Sequence, residues 1–232
     1  QPTVTVNNFI QANPTLPPAR NLQSRFVNEL ARREDWRGLL AFSPEKPNTT
    51  EAQCNYYYAK WATGQQEEAW AGAKELWLTG KNQPNACDSL FGAWRASGKQ
   101  DPLSYLERIR LAMKAGNTRL VTALAGQMPS DYQTISTAVI SLANDPNSVL
   151  TFARSTGATD FTRQMAAVAF ASVARDDVEN ARLMIPQLVQ AQQLNEEQTQ
   201  ELRDIVAWRL MGTDVTDEQA RWRDDAIMRS NS

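Results

Sequence analysis

The chain has 232 residues, 42% hydrophobic and 22% charged, with a formal net charge of −2. That length suits one large domain or two small ones, with an ordinary globular composition. The slight acidic balance excludes the basic excess of a nucleic-acid binder, and the absence of histidine removes the commonest general base and metal ligand.

No stretch approaches the roughly 18 consecutive apolar residues of a membrane span. Gln1 to Asn13 carries neither a basic n-region nor an apolar h-region, so the chain reads as an internal piece of a longer precursor. Thr3 to Ala12 alternates like a strand, but the helices around it favour a helix. Asn13 to Pro18 is a breaker whose prolines suit a helix's first turn. Ala19 to Arg33 then sets Leu22, Phe26, Val27 and Leu30 on one face. Asp35 can cap a short helix bearing Trp36, Leu39 and Leu40, and Thr50 with Gln53 reads as a capping box.

The stretch from Thr50 to Gly98 holds both cysteines and the tryptophans 61, 70, 77 and 94. Glu51 to Thr63 presents Tyr57, Tyr58 and Trp61 on one helical face. After Gly64, Gln65 to Leu78 turns Ala69, Trp70, Ala73, Leu76 and Trp77 inward. A third helix runs from Ala86 to Ala96 with Leu90, Phe91 and Trp94 apolar. A helix stopped by glycine and followed by one opening on Glu67-Glu68 is the hairpin that helical-repeat proteins stack.

Cys54 and Cys87 each sit near the start of a helix, with no CxxC pair to suggest a metal or dithiol centre. Two independent buried thiols are one reading. A disulfide is the expectation, because both residues flank the same hairpin and the composition permits an exported protein. It would stabilise the fold by roughly 3–4 kcal/mol and requires an oxidising compartment such as a periplasm.

Further along, Asp101-Pro102 opens a helix to Ala115 with Leu103, Leu106, Ile109, Ala112 and Met113 inward. Leu120 to Met128, Gln133 to Leu142 and Ser148 to Arg154 follow. Asp160 caps an alanine-rich helix through Ala174, and Asp176-Asp177 begins the next, which Pro186 should kink or split. Asn195 caps Glu196 to Met211. Thr216 caps a last helix whose Trp222, Ile227 and Met228 exceed what one covered side can bury. Turn markers at Asp35, Gly64, Gly98, Gly116, Asp145, Asp176 and Thr213 recur without a strict repeat. The pattern predicts an all-α fold, an irregular α-solenoid of stacked antiparallel helix pairs.

Candidate chemistry is sparse. The acidic pairs Glu67-Glu68, Asp176-Asp177 and Glu196-Glu197 fall in first turns, where capping and the helix dipole account for them; Asp224-Asp225 lies on a polar face. Trp61, Trp70, Trp77 and Trp94 can be sugar-stacking platforms, though their spacing suits core packing better. Arg20, Arg25, Arg32, Arg33 and Arg37 can face anionic ligands, or form a solvated face offset by Glu29, Glu34 and Asp35. There is no GxSxG elbow, GxGxxG or P-loop.

The run QCNYYYAKWATGQQEEAWAGAKELWLTGKNQPNACD resembles the helical domain of the soluble lytic murein transglycosylases of Gram-negative bacteria. So do NPTLPPARNLQSRFVNELARREDWRGLLAF before it, and GATDFTRQMAAVAFASVAR and ARLMIPQLVQAQQLNEEQTQELRDIVAWRLMG after it. The resemblance covers essentially the whole chain. It implies that residues 1–232 form one α-superhelical scaffold domain of a periplasmic, peptidoglycan-cleaving enzyme that needs no metal or cofactor. The family's lysozyme-like catalytic domain carries a Glu-Ser pair and Gly-Leu-Met-Gln and Ala-Tyr-Asn segments, none of which occurs here. The resemblance therefore implies no catalytic residue in this chain, with peptidoglycan glycan strands and the parent's linker and catalytic domains as partners. A rival reading is a solenoid module that binds proteins of the cell envelope through its concave face.

Overall fold

A computed structural model describes Val6, residues 17–212 and residues 214–232, with side chains detailed from Asn21 onward. The helix expected over Thr3 to Ala12 and the turn marker at Thr213 therefore lie outside the described residues, apart from Val6. Among the described residues there are α-helices and two 3-10 turns, and no strand. The all-α class expected from the sequence is what the chain adopts. It folds as two compact units, residues 1–104 and 105–232.

The first unit contains α1 (Pro17–Arg32), α2 (Trp36–Phe42), α3 (Thr50–Ala62), α4 (Gln66–Trp77) and α5 (Ala86–Ala96). Helix α3 is its hub, packing against all four of the others. This explains why its buried residues do not form one stripe. Ala52, Cys54, Tyr56 and Ala59 are buried, whereas Tyr57, Tyr58 and Trp61, expected to share one apolar face, are only half-buried. A helix enclosed on several sides loses the single apolar face on which amphipathic reading depends. The cap also shifts by one residue: Thr49, not Thr50, accepts the Ala52 N–H, and Gln53 instead donates to the Pro47 carbonyl at 3.0 Å. Gly64, at φ 89°, ends α3 in the left-handed region where a side chain is strained. The short turn that follows folds α4 back against α3.

Helix α6 (Pro102–Lys114) spans the boundary between the units. Its buried stripe is Ser104, Tyr105, Arg108, Ile109 and Ala112, while Leu103 is 56% exposed. The face is rotated from the one that Leu103 and Leu106 suggest. At the start of α6, within the first unit, the Trp77 indole donates to the Ser104 carbonyl at 2.8 Å, and Gln100 donates to the Ser104 hydroxyl.

The second unit continues with α7 (Thr118–Gln127), α8 (Gln133–Asn144), α9 (Val149–Ser155), α10 (Asp160–Asp176), α11 (Val178–Gln192), α12 (Glu196–Leu210) and α13 (Asp217–Ser230). Successive helices pack as pairs, α7 on α8, α10 on α11, α11 on α12 and α12 on α13, so each unit stacks helix hairpins in the irregular α-solenoid manner. Asn195 with Gln198, and Thr216 with Gln219, form reciprocal capping boxes. The cap of α10 is Thr159 rather than Asp160, again one residue early. Pro186 does not split α11, which runs through it from Val178 to Gln192. Packing against α9, α10 and α12 holds the helix despite the missing N–H. Gln192 is fully buried at its end, bonded to Thr162 and to the Ala153 carbonyl at 2.8 Å each.

Candidate functional site

Cys54 and Cys87 form a disulfide, with Cα atoms 4.9 Å apart. It joins the body of α3 to the first turn of α5. Beside that junction lies a cleft of 330 Å³ in the first unit, lined in part by Asn55 and Ala86, the neighbours of the two cysteines. Glu51, Asn55 and Tyr58, one face of α3 at spacings of four and three, form its floor. Asn28, Ala31 and Arg32 of α1, Glu34, Trp36 at the start of α2, and Ala86 and Ser89 of α5 complete the lining. The Asn55 side-chain amide donates to the Asn28 amide oxygen at 2.9 Å. The nitrogen of Asn28 and the oxygen of Asn55 thus remain for a further partner.

An aromatic row leaves this cleft. Trp36 and Tyr58 lie 4.9 Å apart by ring centroids, Tyr58 and Trp61 5.1 Å, and Trp61 and Trp70 6.5 Å. All four rings are half-buried. The sequence-level alternatives for the tryptophans therefore divide. Trp77 and Trp94, at 2% and 4% exposure, are core, edge-on to each other at 6.2 Å. Trp61 and Trp70 keep part of their surface in solvent, joined by Trp36 and Tyr58, which sequence reasoning left out of the group. The signal available for Tyr58 was its i, i+4, i+7 alignment with Glu51 and Asn55. Nothing local reveals that Trp36 packs against it.

The acidic pairs separate into caps and surface ion pairs. Glu68 pairs with Lys60 at 2.9 Å, Asp177 caps α11, Glu196 pairs with Arg203 at 2.8 Å, and Asp225 pairs with Arg229 at 3.0 Å. The bonded carboxylates of these pairs thus face a lysine, an arginine or a helix N-terminus.

Two carboxyls have clearly displaced pKa values, and both move down. Glu29 is held at about 2 chiefly by its hydrogen bonds from Arg32, with Arg33 adding to them. Glu179 is held at about 2 by bonds from Arg182 and Gln219. A general acid for glycoside cleavage needs the opposite displacement. Of the arginine cluster, Arg32 and Arg33 converge on Glu29, while Arg25 and Arg37 are exposed; the Arg20 side chain lies outside the described residues. No group of three metal-ligating side chains occurs among the described residues.

In the second unit, Arg182 is 9% exposed and ties α11 to α13. It donates to Glu179 through Nε at 3.0 Å and through Nη2 at 2.5 Å, and reaches Glu218 at 3.3 Å. It borders a 430 Å³ cavity with Pro186, Trp222, Arg203 and Arg229. Each of these arginines already has a carboxylate partner. This arrangement joins helices and leaves no uncompensated cation for a ligand. On α13 itself, Ala226 is buried and Met228 is 74% exposed, with Ile227 at 37%. Trp222, expected on the unburied apolar face, is half-buried beside the cavity.

No helix among the described residues is long and apolar enough to cross a membrane. No protein-family model matches the chain. Individual relatives do. The chain is 86% identical over its whole length to the soluble lytic murein transglycosylase of Escherichia coli K12, and 83% identical to that of Salmonella typhimurium LT2. It spans 36% of the length of these curated relatives. Its structure superposes on the crystal structure of the 70 kDa soluble lytic transglycosylase from Escherichia coli with a TM-score of 0.95, covering all of this chain and 38% of that one.

Proposed function

From the membership of this chain, as a segment, in the soluble lytic murein transglycosylase family, we propose that it is the non-catalytic helical scaffold of a peptidoglycan lytic transglycosylase. By its resemblance to the family, the parent cleaves the MurNAc–GlcNAc linkage and leaves a 1,6-anhydromuramoyl end, without metal or cofactor. The scaffold carries the parent's linker and catalytic domains on its stacked helices and engages glycan strands through them. Residues 1–232 act as one domain in this role.

The observation that carries the reading is the identity of 86% along the whole of an all-helical chain. Its carboxylates agree with it: Glu29 and Glu179 are displaced downward, to about 2, away from the range of a general acid. The disulfide supports a periplasmic location, since an oxidising compartment forms and keeps such bonds. The deciding measurement is muropeptide release from purified sacculi. The chain alone yields no anhydro-muropeptides and the full-length parent yields them; anhydro products from the chain alone overturn the assignment.

A protein-binding role is the second reading. It is favoured by Trp208, Met211 and Met228, which are 76%, 50% and 74% exposed. Apolar side chains of this size mark an interaction surface where they lie together in one patch. Pull-down with envelope proteins, compared with pull-down on sacculi, separates the two.

A further inference from the structure

From the cleft between α1, α2 and α3 we infer a carbohydrate subsite within the helical scaffold, occupied by one pyranose of a glycan strand. This deepens the scaffold reading and rests on its glycan substrate. A pyranose has a C–H face that packs on an aromatic ring and a rim of hydroxyls that need paired donors and acceptors. The cleft supplies both. Trp36 and Tyr58 offer ring surface at 4.9 Å from one another, and the Asn28–Asn55 pair keeps one amide nitrogen and one amide oxygen for hydroxyls. Glu51 on the floor and Ser89 on the wall add polar groups. Arg32 and Glu34 make the rest of the rim polar as well, a lining rich in donors and acceptors around two rings, and 330 Å³ lies at the small end of the range of roughly 300–1,000 Å³ for small-molecule sites.

Core packing accounts for part of this row, since Trp36 lies against the core of the unit, but not for its remaining exposure. Where tryptophans serve the core of this unit they are closed off, as Trp77 and Trp94 are at 2% and 4% exposure. Trp36, Tyr58, Trp61 and Trp70 instead run from the cleft across α3 to α4, each half-exposed. A polymer leaving the subsite meets further ring surface in that direction. The disulfide lies behind the lining, with both cysteines fully buried: Cys54 precedes Asn55, and Cys87 sits in the same turn of α5 as Ser89. It holds floor and wall at a fixed separation, so the subsite is preorganised before the sugar arrives.

The test is titration of the full chain with chitotetraose, a soluble β-1,4-linked N-acetylglucosamine oligomer, followed by indole N–H NMR signals and calorimetry. The Trp36 indole signal is expected to move and those of Trp77 and Trp94 to stay. Trp36→Leu is expected to weaken binding about 5–10-fold, the range of a lost aromatic contact. Asn55→Ser is expected to weaken it while the chain stays folded, with only the small fall in melting temperature of one lost hydrogen bond to Asn28, and carries the test if Trp36→Leu fails to fold. No binding, equal affinity in Asn55→Ser and wild type, or signal changes confined to other tryptophans would each overturn the subsite. Those outcomes leave the scaffold reading intact, because that reading fails on a different observable, the release of anhydro products by this chain alone.

Discussion

The ring of Tyr57 occupies the space that a side chain at position 72 would need: a Cβ built on Gly72 collides with three of its ring atoms. This contact sets how closely α3 and α4 approach. Glycine in a helix interior ordinarily costs about 1 kcal/mol relative to alanine. Gly72→Ala should nevertheless destabilise, by about 1–2 kcal/mol, because overpacking outweighs the helix propensity gained. Gly92 in α5 has no atom within 4 Å of a built Cβ, so Gly92→Ala should stabilise by about 0.5–1 kcal/mol. Chemical denaturation of both variants checks the opposite signs.

Opening the disulfide should destabilise the first unit by roughly 3–4 kcal/mol in the chain-entropy view. Hydrogen exchange with and without reductant should show lost protection concentrated in α3, α4 and α5. Two free thiols in non-reducing peptide maps of protein from an oxidising compartment would contradict the bond itself.

Glu179 carries a pH signature. Its carboxyl is lowered from an ordinary 4.5 to about 2, first by the Arg182 hydrogen bond and then by Gln219. A depressed folded-state value means stability that is complete above about 4.5 and is lost as pH falls towards 2. The side chain is 40% exposed, so solvent screening keeps the contribution to about 1 kcal/mol or less. In acid titrations of stability, Glu179→Gln should flatten the slope in that window and leave neutral pH behaviour nearly unchanged in shape.

Gln193 ends α11 at φ 52°, in the left-handed region, with an exposed side chain. Leu194 N–H closes the turn onto the Val189 carbonyl at 3.1 Å. Glycine takes this conformation without steric strain, so Gln193→Gly should stabilise by about 0.5–1 kcal/mol. Urea unfolding measures it, and a loss of stability would show that the side chain contributes more than its strain.

Helix starts were largely legible because their signals are local. Asp35, Asn195 and Thr216 are caps in both sequence and structure, each bonding a backbone N–H within its own first turn. The one-residue errors at Thr49 and Thr159 arose where two polar residues stand together. Faces were less legible where neighbours decide them: α3 is surrounded by all four other helices of its unit. The split suggested by Pro186 does not occur, because three helices packed on α11 support it where local chemistry alone would break it. In the cleft, the stripe on α3 was readable, but Trp36 and Asn28 join it only through tertiary packing.

The cystine also makes the chain a loop. The 33 positions from Cys54 to Cys87 are bypassed by a single covalent bond, so tension applied at the two ends travels through sulfur and leaves that segment slack. About 110 Å of contour, at about 3.3–3.6 Å per residue, is withheld from any extension. A machine that threads unfolded chains through a pore would have to admit two strands side by side at this point, or stall until the bond is reduced.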